Sequence, residues 1–196
     1  GGILAALTVG EFILNNTDVV TNRAGEVGSI GGAVYWVSAA TLEATNGCRI
    51  SNNLADGSVG GAYLAAPGEF LFSDTEISYN IASNYIGGIA VANAGRVECI
   101  DCSINCNVAD VVSNGIGYGG AFYAENASVD LISLNGTTTV TNNSAANGGV
   151  AYLMDGGQLS AYGDVLFANN RASHYGGAIF ATNQCSVSLM PTNGAS

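Results

Sequence analysis

Residues 167–180 read FANNRASHYGGAIF: an apolar residue, two asparagines, a short polar stretch, then two glycines opening into apolar residues. The same order recurs in ISNNLADGSVGGAYL (50–64), ISYNIASNYIGGIAV (77–91) and VTNNSAANGGVAYL (140–153). Working outward, glycine pairs begin at Gly1, Gly31, Gly60, Gly87, Gly119, Gly148 and Gly176, 27 to 32 residues apart. Ahead of every pair but the first stands an Asn followed two places later by Ala: Asn22, Asn53, Asn80, Asn107, Asn143 and Asn170. Three places before each Asn is an apolar residue: Val19, Ile50, Ile77, Ile104, Val140 or Phe167. From Asn to the glycine pair the distance varies between 5 and 12 residues, so a loop of free length joins two fixed elements.

A period of this size marks a solenoid or array. The segments after the glycine pairs, such as AVYWV, IAVA and VAYLM, are short, rich in β-branched and aromatic residues, and bounded by Gly, Asn, Pro or Asp. Those are strand signals. No stretch offers the 10 to 15 Gly-free residues with 3.6-fold periodicity that a helical repeat needs. The chain therefore reads as all-β, a parallel β-helix of six coils and part of a seventh. Each coil has roughly 29 residues in three short strands and three turns.

The recurring Asn has a physical reason in that fold. Coils stack about 4.8 Å apart, so identical Asn side chains at a bend can hydrogen-bond to the coils on either side and form a ladder. The paired glycines admit a backbone conformation closed to other residues and a close approach by the next coil.

Gly is 28 of 196 residues, yet apolar residues reach 48%, which excludes a simple disordered low-complexity chain. Fifteen acidic residues face four arginines and no lysine, for a net charge of −11, which makes nucleic acid and anionic membrane surfaces poor partners. No apolar run approaches the roughly 18 residues of a membrane-spanning helix, and no signal peptide is recognisable. Sequons stand at Asn15, Asn126, Asn135 and Asn142, N-glycan acceptors in a eukaryotic secretory pathway.

With GGAI at 176–179, FANN at 167–170, and the variants GGAV, GGAY, GGIA, GGAF, GGVA, ISNN, ISYN, INCN and VTNN, the chain resembles the polymorphic membrane protein repeats of chlamydial surface autotransporters. Six ordered pairs of these tetrapeptides cover nearly its whole length. The resemblance implies a right-handed parallel β-helix displayed outside the cell and associated with adhesion.

Counting back from each ladder Asn exposes candidate chemistry. Six before stand Asn16, Gly47, Asp74, Asp101, Thr137 and Asp164; four before, Asp18, Arg49, Glu76, Ser103, Thr139 and Leu166. Both columns are expected to face solvent between apolar or small ones, with Arg49 paired between Asp18 and Glu76. Asp74, Glu76 and Asp101 would crowd three carboxylates, a candidate Ca²⁺ site or the acid pair of a polysaccharide hydrolase; a solvated acidic stripe is the plainer reading. His174, the sole histidine, lies in a loop with no nucleophile pattern around it. CIDCSINC (99–106), if extended, puts Cys99 and Cys102 about 10 Å apart, so buried free thiols are expected here. Thr137–Thr139 suggests an ice-binding array but lacks threonines on successive coils. Four places past each first Gly come Ala5, Tyr35, Leu64, Val91, Tyr123, Tyr152 and Phe180, read as core, with an outward sugar- or protein-binding stripe as the alternative.

These readings converge on a single repeat domain spanning 1–196, a piece of a longer chain, serving as an extracellular or cell-surface structural or adhesive module, in a filament or coat. It is not read as an enzyme; the alternative class is a polysaccharide lyase or glycoside hydrolase. The partners expected are further coils or other subunits at uncapped ends, and cell-surface glycans.

Overall fold

The computed structural model describes residues 2–6, 10–25, 29–109 and 117–190; Gly1 and the 191–196 tail fall outside them. Among the described residues every regular element is a strand. The third coil serves as a pattern: Ala62–Leu64 from the glycine pair, Glu69–Ser73, Glu76–Ser78, then Ile81–Ala82 after the Asn corner. Each strand pairs in parallel with its counterparts one coil before and one coil after. Four sheets result, of seven, seven, six and six strands, and the molecule is a parallel β-helix. A coil thus has four strand segments rather than the expected three. The extra one, such as Leu54–Ala55 or Val108–Ala109, is only two residues long, too short for any periodicity to announce it.

The interior is made by alternation. In Glu69–Ser73, Phe70 and Phe72 point inward while Glu69, Leu71 and Ser73 face out, and Arg96–Ile100 and Ser128–Ile132 repeat the pattern. Stacked in register, these residues join Trp36, Phe122, Leu64 and Leu153 in one continuous core. Trp36 satisfies its indole N–H at the Ala40 carbonyl, 3.1 Å away, as a buried Trp must.

The Asn corner is the same in all six coils. The residue before each ladder Asn takes a left-handed φ of 53–57°: Thr21 is at 56°, Asn52 at 55°, Tyr79 at 53°, Cys106 at 54°, Asn142 at 57° and Asn169 at 55°. That twist turns the next side chain into the interior. Asn80 Oδ1 accepts from the Asn53 backbone N–H at 3.1 Å and from Asn53 Nδ2 at 2.9 Å. Asn80 Nδ2 donates to Asn107 Oδ1 at 2.9 Å and to the Ile50 carbonyl at 2.8 Å. The same links join Asn22 to Asn53, Asn107 to Asn143 and Asn143 to Asn170. The expected ladder is present at all six positions, and buried amides that would each cost free energy alone are mutually satisfied.

The glycine pair does what its composition implies. A Cβ on Gly61 would lie 2.4 Å from the Gly88 carbonyl oxygen, so the next coil's backbone occupies the space a side chain would need. Gly119 instead has φ of 72°, open to glycine and strained for most other residues. Gly31, Gly148 and Gly176 share this left-handed conformation, and in these four coils the strand gains one residue relative to the coils of Gly60 and Gly87. At such a place two successive N–H groups, those of Ala121 and Phe122, both donate to the Val150 carbonyl.

The cysteine run departs from expectation. Asp101 has φ of 51°, so the chain turns inside CIDCSINC and brings Cys99 and Cys102 together in the core instead of holding them apart. Their hydrogen bond, followed by burial, pushes the Cys99 thiol well up. All five cysteines are free, with Cys48, Cys99 and Cys102 buried.

Candidate functional site

The added residue behind the left-handed glycines decides what the glycine-pair sheet shows to solvent. Its register aligns Leu4 with Tyr35, Tyr35 with Tyr63, Tyr63 with Ala90, Ala90 with Tyr123, Tyr123 with Tyr152 and Tyr152 with Phe180. A constant count from the glycines slips by one in three coils: Ala5 takes the register place of Trp36, and Leu64 and Val91, also expected in this file, are core residues beside Trp36. The true file is outward and aromatic, which corrects the reading of it as core.

Its rings stack along the helix axis. Tyr35 and Tyr63 have centroids 5.7 Å apart at 22°; Tyr123 and Tyr152 are 5.9 Å apart at 13°, and Tyr152 and Phe180 are 5.1 Å apart at 27°. The segments leading into the sheet add a second row, Tyr85, Tyr118 and Tyr175, with Tyr118 only 4.5 Å from Tyr152. Seven of the nine tyrosines of the chain lie on this face. Stacking of this kind contributes about 0.5–1.5 kcal/mol per pair and leaves the ring edges and outer faces available.

The stack is broken once, at Ala90. There a cavity of about 320 Å³ opens between Tyr63 and Tyr123. Val59, Ile86 and Ala90 form its floor, each at most 5% exposed. Tyr85 and Tyr118 line it with Glu125, whose carboxylate accepts a 2.9 Å hydrogen bond from the Tyr123 hydroxyl. Burial, then this hydrogen bond and the carboxylate's charge, hold the Tyr123 hydroxyl far above its ordinary value. Tyr63 is raised by burial first, then by Tyr35 and Glu125. Tyr85, Tyr118 and Glu125 were not singled out from the sequence: the two tyrosines lie in loops of unequal length, and Glu125 acquires meaning only from the strand register.

On another side the Asp18, Arg49, Glu76, Ser103, Thr139, Leu166 column is in register as counted. Arg49 pairs with Asp18, its Nε 2.9 Å from Oδ1, and this hydrogen bond, outweighing a small desolvation effect, lowers the Asp18 carboxyl. Asp74 and Asp101 do not stand on strands. They occupy a turn with φ of 47° and 51°, where Asn16 and Gly47 also have positive φ, at 46° and 78°. Asp and Asn are among the few side chains that tolerate this region, which accounts for Asn16, Asp74 and Asp101; Thr137 and Asp164 do not share the conformation. Asp101 is moreover engaged: its oxygens accept from the Leu134 and Asn135 backbone N–H groups at 2.8 and 3.0 Å. Glu76 accepts from the Ser78 hydroxyl. Asp74, Glu76 and Asp101 line one pocket together with Arg49, and among the described residues no three His, Cys, Asp or Glu side chains gather as a metal site. His174 is exposed beside Ser173, in the strand Arg171–Tyr175 rather than a loop. The sequon residues Asn15, Asn126, Asn135 and Asn142 are all exposed, and no described helix is long and apolar enough to cross a membrane.

Fold and surface together define a parallel β-helix with one aromatic face. Comparison with family models, with curated proteins and with solved structures gives no match for this chain.

Proposed function

We propose that the chain is a structural and adhesive β-helix module of an extracellular or cell-surface protein, with the aromatic face as its contact surface. The observation that carries this is the concentration of seven tyrosines and Phe180 on one face, in a file five rings long interrupted only at Ala90. The stacking helps to hold the sheet, but it leaves ring edges and outer faces in solvent, and Tyr is enriched where one surface binds another. The accessible sequons agree with an extracellular setting, and the similarity of the repeats to chlamydial surface proteins points the same way. The exposed apolar side chains that continue the core rows in the outer coils, Phe12 at one end and Val187 and Leu189 at the other, are places for further coils or another subunit to pack. The polysaccharide-cleaving alternative has less support, because Asp101 is committed to backbone N–H groups and the repeat is regular around it.

The test is retention of the protein on a panel of immobilised glycans, beside a Tyr35→Ser, Tyr152→Ser, Phe180→Ser triple variant that leaves the gap intact. Wild type should be held by at least one surface and the variant lost from it. Equal retention of both, or none of either by any surface, sinks the adhesive reading.

A further inference from the structure

The break at Ala90 has a definite size. Each neighbouring ring lies one coil away, so Tyr63 and Tyr123 face each other across two coil spacings, about 10 Å. Because both rings stack on their outer neighbours at shallow angles, their free faces look along the axis into the gap. A group centred there sits about 5 Å from each ring, within the roughly 6 Å over which an aromatic face attracts a cation. After the rings' own thickness about 6 Å remains, too wide for one flat ring and matched to a compact tetrahedral head.

Charge selects among such heads. Among the described residues Glu125 is the only Asp, Glu, Lys, Arg or His side chain lining the cavity, with Tyr63, Tyr85, Tyr118 and Tyr123 around it. The hydrogen bond from Tyr123 ties the carboxylate to one of the two sandwiching rings. The floor of Val59, Ile86 and Ala90 is apolar and offers no side-chain oxygen to a hard metal ion, which needs several. An anion would meet a carboxylate and no positive partner. A cation with an apolar skin satisfies all the walls at once: methyl groups against the floor, positive charge between two ring faces, and Glu125 at the side.

We propose that the gap at Ala90 is a binding site for a trimethylammonium group, caged by Tyr63, Tyr123, Tyr85 and Tyr118 with Glu125 as counter-charge. The site is independent of the adhesive role, since it uses the one place where the stack is missing. Such a head is carried both by free choline-like solutes and by choline lipids.

Titration calorimetry of the 1–196 chain should show choline binding at about millimolar affinity, as expected for so few ligand atoms. The neutral isostere 3,3-dimethylbutan-1-ol should bind at least about tenfold more weakly, the loss expected when the cation–π and carboxylate attractions go. Ala90→Tyr completes the ring file and should abolish choline binding with the melting temperature held or raised. Glu125→Gln should weaken choline about tenfold and leave the neutral isostere unchanged, which tests the site if Ala90→Tyr fails to fold. Phosphatidylcholine vesicles separate the sources: co-sedimentation assigns the site to a lipid head, and choline binding without it assigns the site to a free solute. The proposal is overturned if choline does not bind, if the isostere or glucose binds as well as choline, or if a folded Ala90→Tyr protein keeps wild-type affinity.

Discussion

Asn80 makes four hydrogen bonds inside the protein with one amide, two through Oδ1 and two through Nδ2. Its side chain is fully buried. Leucine has nearly the same size and no polar atom, so Asn80→Leu strands Asn53 donors on one side and acceptors on the other. Each buried orphan costs about 1–3 kcal/mol; chemical denaturation should show a loss on the order of 3–5 kcal/mol, and an unchanged midpoint would remove the ladder from the list of stabilising features. The residue just before the ladder Asn tests the same corner from the backbone. Three of the six are Asn, at ease with left-handed φ, but Thr21 is β-branched at φ of 56° and exposed. Thr21→Asn should therefore stabilise by up to about 1 kcal/mol, read as a higher melting temperature; a fall would mean that the Thr21 side chain contributes something its contacts do not reveal.

Among the elements, the turn between the long strand and the next segment carries the acidic column. Asp101 is pushed up by partial burial, but the N–H groups of Asn135, Leu134 and Gly136 outweigh that and hold its carboxyl below the usual range. A carboxyl lowered on folding stabilises the protein above its unfolded pKa and loses that contribution as pH falls through the folded value. Asp101→Asn should thus melt below wild type at neutral pH, and the difference should close as pH falls below the ordinary carboxylate range. A gap that persists undiminished in acid would assign the effect to shape instead of charge. These turns also explain what could be read in advance. The Asn, the apolar residue three before it and the glycine pair were legible because each repeats an obligatory role at a fixed spot. The Tyr file was not, because a left-handed Gly31 or Gly119 inserts a residue that Gly60 and Gly87 do not, and φ is invisible in a string of letters. Asp74 and Asp101 count as strand positions in the sequence, where a carboxylate chosen for its backbone tolerance looks the same as one chosen for its charge.

For the molecule as a whole, stability is distributed along the axis. Each coil contacts only its neighbours, as in other solenoids, and the inner coils bury their apolar rows almost completely while Phe12, Val187 and Leu189, in the same rows, are 42, 43 and 57% exposed. Exposed apolar rows and strand edges invite association. Light scattering on residues 1–196 should therefore show mass rising with concentration, and Leu189→Lys with Val187→Glu should suppress the rise. A monomer at all concentrations would mean that these rows are tolerated in water.

The Asn ladder adds a constraint on how such association could proceed. From Asn22 to Asn143 each side-chain amide gives one proton to the oxygen of the next coil's Asn, so the side-chain links run one way along the column, like a file of people each with a hand on the shoulder ahead. Two copies meeting mirror-fashion would set oxygen against oxygen or proton against proton. An end contact that continued this column would therefore be head-to-tail, an arrangement that a two-fold axis cannot supply.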